Sequence, residues 1–119
     1  MKTYNQGVTF FKVGQNAQEN WDLIRKYLVN NEDSLNLIGN SKEFLWFHLD
    51  EFPSAHVVIE QEEPDNDEIN YACELVIQHS KNSKFSKKII YTKIKNLKLG
   101  PDVGSVIFRK FDECKYKKI

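Results

Sequence analysis

At 119 residues, with no linker and no internal repeat, the chain has the length of one domain and is short for two. Eight Phe, five Tyr and two Trp within a 40% hydrophobic composition argue against disorder. No run approaches the ~18 apolar residues of a membrane span, and Met1–Thr3 leads into no signal-like apolar stretch. The formal charge is zero, but the halves differ. Residues 1–80 carry five Lys/Arg against fourteen Asp/Glu, and residues 81–119 carry twelve against three, a split of −9 and +9. A neutral total of this kind leaves a polyanion partner open, as it leaves open mutual neutralisation of the halves.

The first strand is expected at Val8–Val13, stopped by Gly14. A helix then starts at Asn16, with Glu19 three residues on in capping-box position. Its stripe is Trp21, Ile24 and Leu28, flanked by Leu23 and Tyr27, and it ends near Val29. The Asn-rich segment 30–40 reads as a loop that Leu35, Leu37 and Ile38 tack to the core.

Phe44–Leu49 and Ala55–Glu60 read as a hairpin around the five-residue stretch Asp50–Ser54. With Phe52 at the midpoint, His48 opposes His56 and Trp46 opposes Val58. Alternation then puts Phe47, Leu49, Val57 and Ile59 on a core face, and Trp46, His48, His56 and Val58 on the other. A second helix is announced by Asp65 and Glu68 as a cap pair, with the stripe Ile69, Ala72, Cys73, Val76, Ile77 and Ser80. Lys81–Lys88 reads as a basic loop, Lys88–Ile94 as a strand and Leu97–Val103 as a turn region. Ser105–Lys110 and Glu113–Lys117 read as a closing hairpin turning at Phe111–Asp112. The fold class expected is α+β: a mostly antiparallel sheet of five to six strands, with two main helices packed on it and one face covered. Residues 1–119 form a single domain on this reading.

Two features could carry chemistry. On the Trp46/His48/His56 face, a metal site lacks a third ligand at sensible spacing. Acid–base catalysis by His48 or His56 lacks a nucleophile or a Gly-rich phosphate loop. A platform for stacking bases and plain packing beneath the second helix both remain open. The second feature is the run of Lys81, Lys84, Lys87, Lys88, Lys93, Lys95, Lys98, Arg109, Lys110, Lys115, Lys117 and Lys118, interleaved with Phe85, Tyr91 and Tyr116, which suits a phosphate-tracking surface. Cys73 and Cys114 form no CxxC motif and are expected to be reduced thiols, which places the chain in the cytoplasm. No metal or cofactor is expected.

Several segments resemble the NFACT-R domain family. Gly14-Gln15-Asn16-Ala17-Gln18-Glu19-Asn20 resembles its opening signature. Leu45-Trp46-Phe47-His48 with Pro53-Ser54-Ala55-His56-Val57 resembles its central block. Ala72, Ser80-Lys81, Tyr91-Thr92, Asn96-Leu97-Lys98 and Asp102-Val103-Gly104 follow in family order. The wording is nearest to the stand-alone, coiled-coil-tailed members, without the tail. The chain departs from the family at Pro53-Ser54-Ala55, where Pro-Gly is common before Ser-His, and at Leu99, where Lys is frequent.

The resemblance implies a non-enzymatic RNA-binding module for tRNA or ribosome-associated RNA, as in ribosome quality control, and does not exclude DNA. On that expectation Lys81, Lys84, Lys98 and Arg109 contact phosphates, and Trp46, His48 and His56 contact bases or sugars. Asn16 and Asn20 orient the first helix toward a phosphate. Two rivals are an RNA-acting enzyme using His48 or His56, and a protein-docking module using Glu62, Glu63, Asp65 and Asp67.

Overall fold

The computed structural model describes residues 1–29 and 41–119, so the expectations for Leu35, Leu37 and Ile38 lie outside the described residues. Among the described residues, eight strands and two α-helices are arranged as β1 Lys2–Gln6, β2 Thr9–Gly14, α1 Ala17–Val29, β3 Leu45–Leu49, β4 His56–Glu60, α2 Asn66–Gln78, β5 Lys88–Lys93, β6 Leu97–Leu99, β7 Val106–Phe108 and β8 Lys115–Lys118. Six strands form one sheet in the order β1-β2-β4-β3-β5-β8, every neighbouring pair antiparallel. β6 and β7 form a separate two-stranded sheet. The α+β expectation holds.

The β3–β4 register is the one the Phe52 midpoint demands, with Trp46 opposite Val58 and Phe47 opposite Val57. Alternation along these strands therefore sends side chains to two different cores. Phe11, Val13, Phe47, Leu49, Val57, Ile59 and Ile89 pack against Ala72, Cys73, Leu75 and Val76 of α2. Trp46, Val58 and Ile90 pack against Leu23, Ile24 and Tyr27 of α1, joined by Ile94 and Leu97. The helices thus lie on opposite faces, correcting the expectation of one covered face. The cause is local: β3, β4 and β5 place large apolar side chains on both sides, and burying each contributes about 1.5–3 kcal/mol.

Each helix carries the cap its sequence announces. Asp65 and Glu68 form a complete capping box on α2, each side chain taking the other's backbone N–H. On α1, Asn16 Oδ1 accepts from Glu19 N at 2.9 Å, but Glu19 returns its carboxylate to the Gln15 N–H, one residue early. Glu19 also holds the Met1 ammonium at 2.8 Å.

Three further expectations change. β1 was not foreseen; it joins β2 through a tight turn in which Gly7 adopts φ 59°, a conformation that favours glycine. Part of the supposed turn region Leu97–Val103 is β6, which pairs with β7. The closing hairpin does not form: β7 belongs to the small sheet, and β8 instead adds to the main sheet beside β5. Asn96 explains the diversion. Its Oδ1 accepts from Lys110 N at 2.8 Å, its Nδ2 donates to the Lys110 carbonyl at 3.0 Å, and its own carbonyl takes the Arg109 N–H. This buried side chain fixes the chain just beyond β7 and directs it back to the sheet edge.

Candidate nucleic-acid interface

The end of β3, the start of β4 and the loop between them form one wall of a pocket of about 570 Å³. The start of α1 and the segment 103–108 form the facing wall, with Phe111 at its lip. The loop is held rigid from several sides. Ser54 Oγ accepts from Leu49 N at 2.9 Å, and Ser80 Oγ accepts from Ala55 N at 3.1 Å. Asn82 donates to the Pro53 carbonyl at 2.8 Å. Asn20 reaches from α1, donating to the Ser54 carbonyl and accepting the His56 N–H at 3.2 Å. Within the loop Glu51 adopts φ 72°, a strained conformation for a residue with a side chain. Gly14 leaves room for Asn20, since a Cβ there would lie 2.4 Å from Asn20 Oδ1.

Inside the pocket, Trp46 Nε1 donates to His56 Nδ1 at 3.0 Å, and His48 Nδ1 lies 2.5 Å from the Leu49 carbonyl oxygen. The Trp46 and His48 rings stack at 5.5 Å and 12°, while His56 meets His48 edge-on at 4.9 Å. Burial holds His48 far below its ordinary value, at about 4, against a smaller upward pull from the Leu49 carbonyl and Asp50. Burial also lowers His56 well below its ordinary value, and His48 adds to this. Both imidazoles are therefore neutral at pH 7. Among the described residues, no three His, Cys, Asp or Glu side chains are grouped to hold a metal.

Five of the nine site residues expected from sequence line this one pocket: Asn16, Asn20, Trp46, His48 and His56. They differ in access. Trp46 is fully buried and His56 is 1% exposed, whereas His48 is only partly covered. The histidines lie on the α1 face, not beneath α2. Asn20 is spent on the backbone of the β3–β4 loop and β4, and Asn16 on its own helix N-terminus. Lys81, Lys84, Lys98 and Arg109 are exposed and outside the pocket lining. Lys81 and Lys84 sit on a 3-10 turn, Lys81–Lys84, that Asn82 ties to the pocket wall at Pro53. Lys98 pairs with the exposed Ile107 on the small sheet, opposite the face that Leu97 and Leu99 bury.

Sequence reasoning placed Ser54 and Ser80 in family-like motifs without giving them a role, and assigned no site role to Asn82 or to Phe108 and Phe111 on the facing side. Of the twelve basic residues in 81–119, only Lys88, Lys93, Lys95 and Lys110 form ion pairs with described residues, to Asp50, Glu43 and Glu113. Lys81, Lys84, Lys98 and Arg109 have no ion pair among the described residues.

The fold and site define a small α+β binding module: a rigid aromatic and imidazole pocket bordered by a basic turn. The family model for the NFACT protein RNA binding domain matches residues 3–110, and the chain belongs to that family, which gives it a nucleic-acid-binding role. Among solved structures, the chain is similar to the C-terminal part of the fibronectin/fibrinogen-binding protein from Streptococcus suis, with a TM-score of 0.74 and 26% identity. That similarity covers 95% of this chain and 41% of the other, so the chain spans less than half of the matched structure. No curated protein gives a significant match. No described helix is long and apolar enough to cross a membrane.

Proposed function

We propose that the chain binds unpaired RNA, of the tRNA or ribosome-associated class, without catalysing a reaction on it. Lys81 and Lys84 hold phosphates at one border of the pocket, and Lys98 and Arg109 hold them along the small sheet. His48 and His56 meet the nucleotide inside the pocket. Trp46 acts through His56, because its ring has no free face. Asn16 and Asn20 hold the α1 end of the pocket in place rather than neutralise charge.

The observation that carries this reading is the tie between the basic turn and the pocket, the Asn82–Pro53 hydrogen bond. It couples a phosphate-binding surface to a concave, partly aromatic one, which is the combination that unpaired RNA needs and a duplex does not. Neutral histidines also suit hydrogen bonding to a base better than proton transfer at pH 7, so the enzymatic rival gains no support from the geometry.

The test is binding of the purified chain to labelled tRNA, single-stranded RNA and duplex DNA across a salt series. Neutralising about five phosphates gives a log–log slope near −3.5 on single strands, and each of Lys81→Ala and Lys84→Ala should reduce it by about 0.7. Absence of binding at low salt, or equal affinity for duplex DNA, refutes the proposal.

A further inference from the structure

The two imidazoles in the pocket have fixed and opposite hydrogen-bonding characters. Indole Nε1–H can only donate, so His56 Nδ1, which receives the Trp46 bond, must be unprotonated. The neutral ring then carries its proton on Nε2. A carbonyl oxygen can only accept, so His48 Nδ1 must carry the proton it gives to Leu49, which leaves a lone pair on Nε2. Neither Nε2 has a hydrogen-bond partner among the described residues. Among the described residues no fully enclosed polar side-chain atom lacks a partner, so neither Nε2 is completely sealed in the core, although His56 as a whole is only 1% exposed. Because both residues line the pocket, the space that reaches them is the pocket.

We propose that the pocket takes one unpaired nucleobase, which places an acceptor against His56 Nε2–H and an adjacent donor against the His48 Nε2 lone pair. This rests on the RNA-binding reading and specifies what part of the RNA enters. An adjacent acceptor and donor occurs on the Watson–Crick edge of every base: N1 and N6–H in adenine, N3 and N4–H in cytosine, O6 and N1–H in guanine, O4 and N3–H in uracil. In a duplex that edge is consumed by pairing, so the imidazole pair selects an unpaired nucleotide. It discriminates weakly among the four bases. The pocket volume of about 570 Å³ lies within the ~300–1,000 Å³ of small-molecule sites. Phe111, 64% exposed at the lip and edge-on to Phe108 at 5.7 Å, provides a ring on which the entering base or its neighbour stacks.

The experiment uses the whole chain and an RNA hairpin whose seven-nucleotide loop contains all four bases. Each loop nucleotide is replaced in turn by an abasic ribose. Binding is followed at constant salt, and the histidine ring nitrogens are followed by 15N NMR. One abasic position should weaken binding by about tenfold or more, within the range of a lost base stack, and the others should do so much less. The His48 Nε2 resonance should move when the intact hairpin binds.

His48→Asn retains a donor where Nδ1 stood but removes the Nε2 acceptor. Phe111→Ala changes an exposed side chain. Both should weaken the intact hairpin and flatten the abasic profile. A flat profile on the unmodified chain with unmoved histidine resonances overturns the base pocket and leaves phosphate-based RNA binding standing. Failure of every hairpin to bind at low salt overturns both readings.

Discussion

Acid should destabilise this fold in a window set by its two pocket histidines. An unfolded histidine titrates near 6.5, whereas folded His48 is held at about 4 by burial. Between those values the unfolded chain binds a proton that the folded chain refuses, so stability rises with pH there. The contribution is fully present above about 6.5 and is lost as pH falls toward 4. For His48 alone the linkage relation gives a loss of about 1 kcal/mol at pH 5.5 and about 2 kcal/mol at pH 5, reaching about 3 kcal/mol at pH 4. His56 acts in the same direction, its imidazole lowered by burial and by His48.

Glu19 and Glu43 are shifted below the carboxylate range by the groups they pair with, chiefly the Met1 ammonium and Lys93, so their loss comes at lower pH. Urea unfolding between pH 8 and pH 5 measures the effect. His48→Asn is the control, since its amide can replace the Nδ1–H bond to Leu49 without titrating. The variant should show a shallower pH slope, the difference approaching ~1.4 kcal/mol per pH unit in the middle of the window. Equal slopes, or a folded-state NMR titration of His48 near 6.5, would refute the reasoning.

Three other substitutions probe the frame around the pocket. Trp46→Phe keeps most of the ring but leaves buried His56 Nδ1 without its donor, and should cost about 1–3 kcal/mol in urea unfolding. Gly14→Ala drives a Cβ to 2.4 Å from Asn20 Oδ1 and about 3.1 Å from its backbone, so it should destabilise by about 1–3 kcal/mol. It should also accelerate hydrogen exchange at the His56 amide, which Asn20 binds. Asp65→Ala removes half of the α2 capping box and should cost about 1 kcal/mol, seen as a lower melting temperature with RNA affinity unchanged.

The central hairpin was legible because two independent signals agree there: strict alternation on either side and a loop centred on Phe52. A one-residue slip would put Phe47 and Val57 on the face now held by Trp46 and Val58, so the register is strongly specified. The helices were legible for a similar reason, though Leu75 replaces Ile69 and Ile77 at the centre of the buried stripe of α2. β1 was not legible because Lys2–Gln6 offers one large ring, Tyr4, and its order comes from pairing with β2. The fate of the last segments depended on Asn96, whose bonds to Arg109 and Lys110 bridge more than a dozen residues and leave no local pattern. The pocket shows the same division. Its histidines stood out in the sequence, but their tautomers follow from a tryptophan ten residues away and from the Leu49 carbonyl, which only the fold places.

The charge halves raise a final point, since a chain of zero net charge would ordinarily be a poor ligand for a polyanion. Several acids of residues 1–80 are occupied near where they stand. Asp65 and Glu68 cap α2, Glu19 binds Gln15 and the Met1 ammonium, and Glu60 accepts from Tyr27 with Lys26 close by. Among the described residues only Glu43 and Asp50 from that half reach the basic segment, holding Lys93, Lys95 and Lys88. Helix capping therefore limits neutralisation across the fold: a carboxylate bound to backbone N–H groups at one helix end is fixed in position and unavailable to a lysine elsewhere. Lys81 and Lys84 of the 81–84 turn form no ion pair among the described residues, and Lys84 lies over the Phe85 ring at 5.2 Å, beside a pocket whose lining includes the carboxylates of Asp50 and Glu51. Zero net charge is therefore compatible with the basic surface proposed for RNA, because several acids are engaged elsewhere while Lys81, Lys84, Lys98 and Arg109 have no ion pair among the described residues.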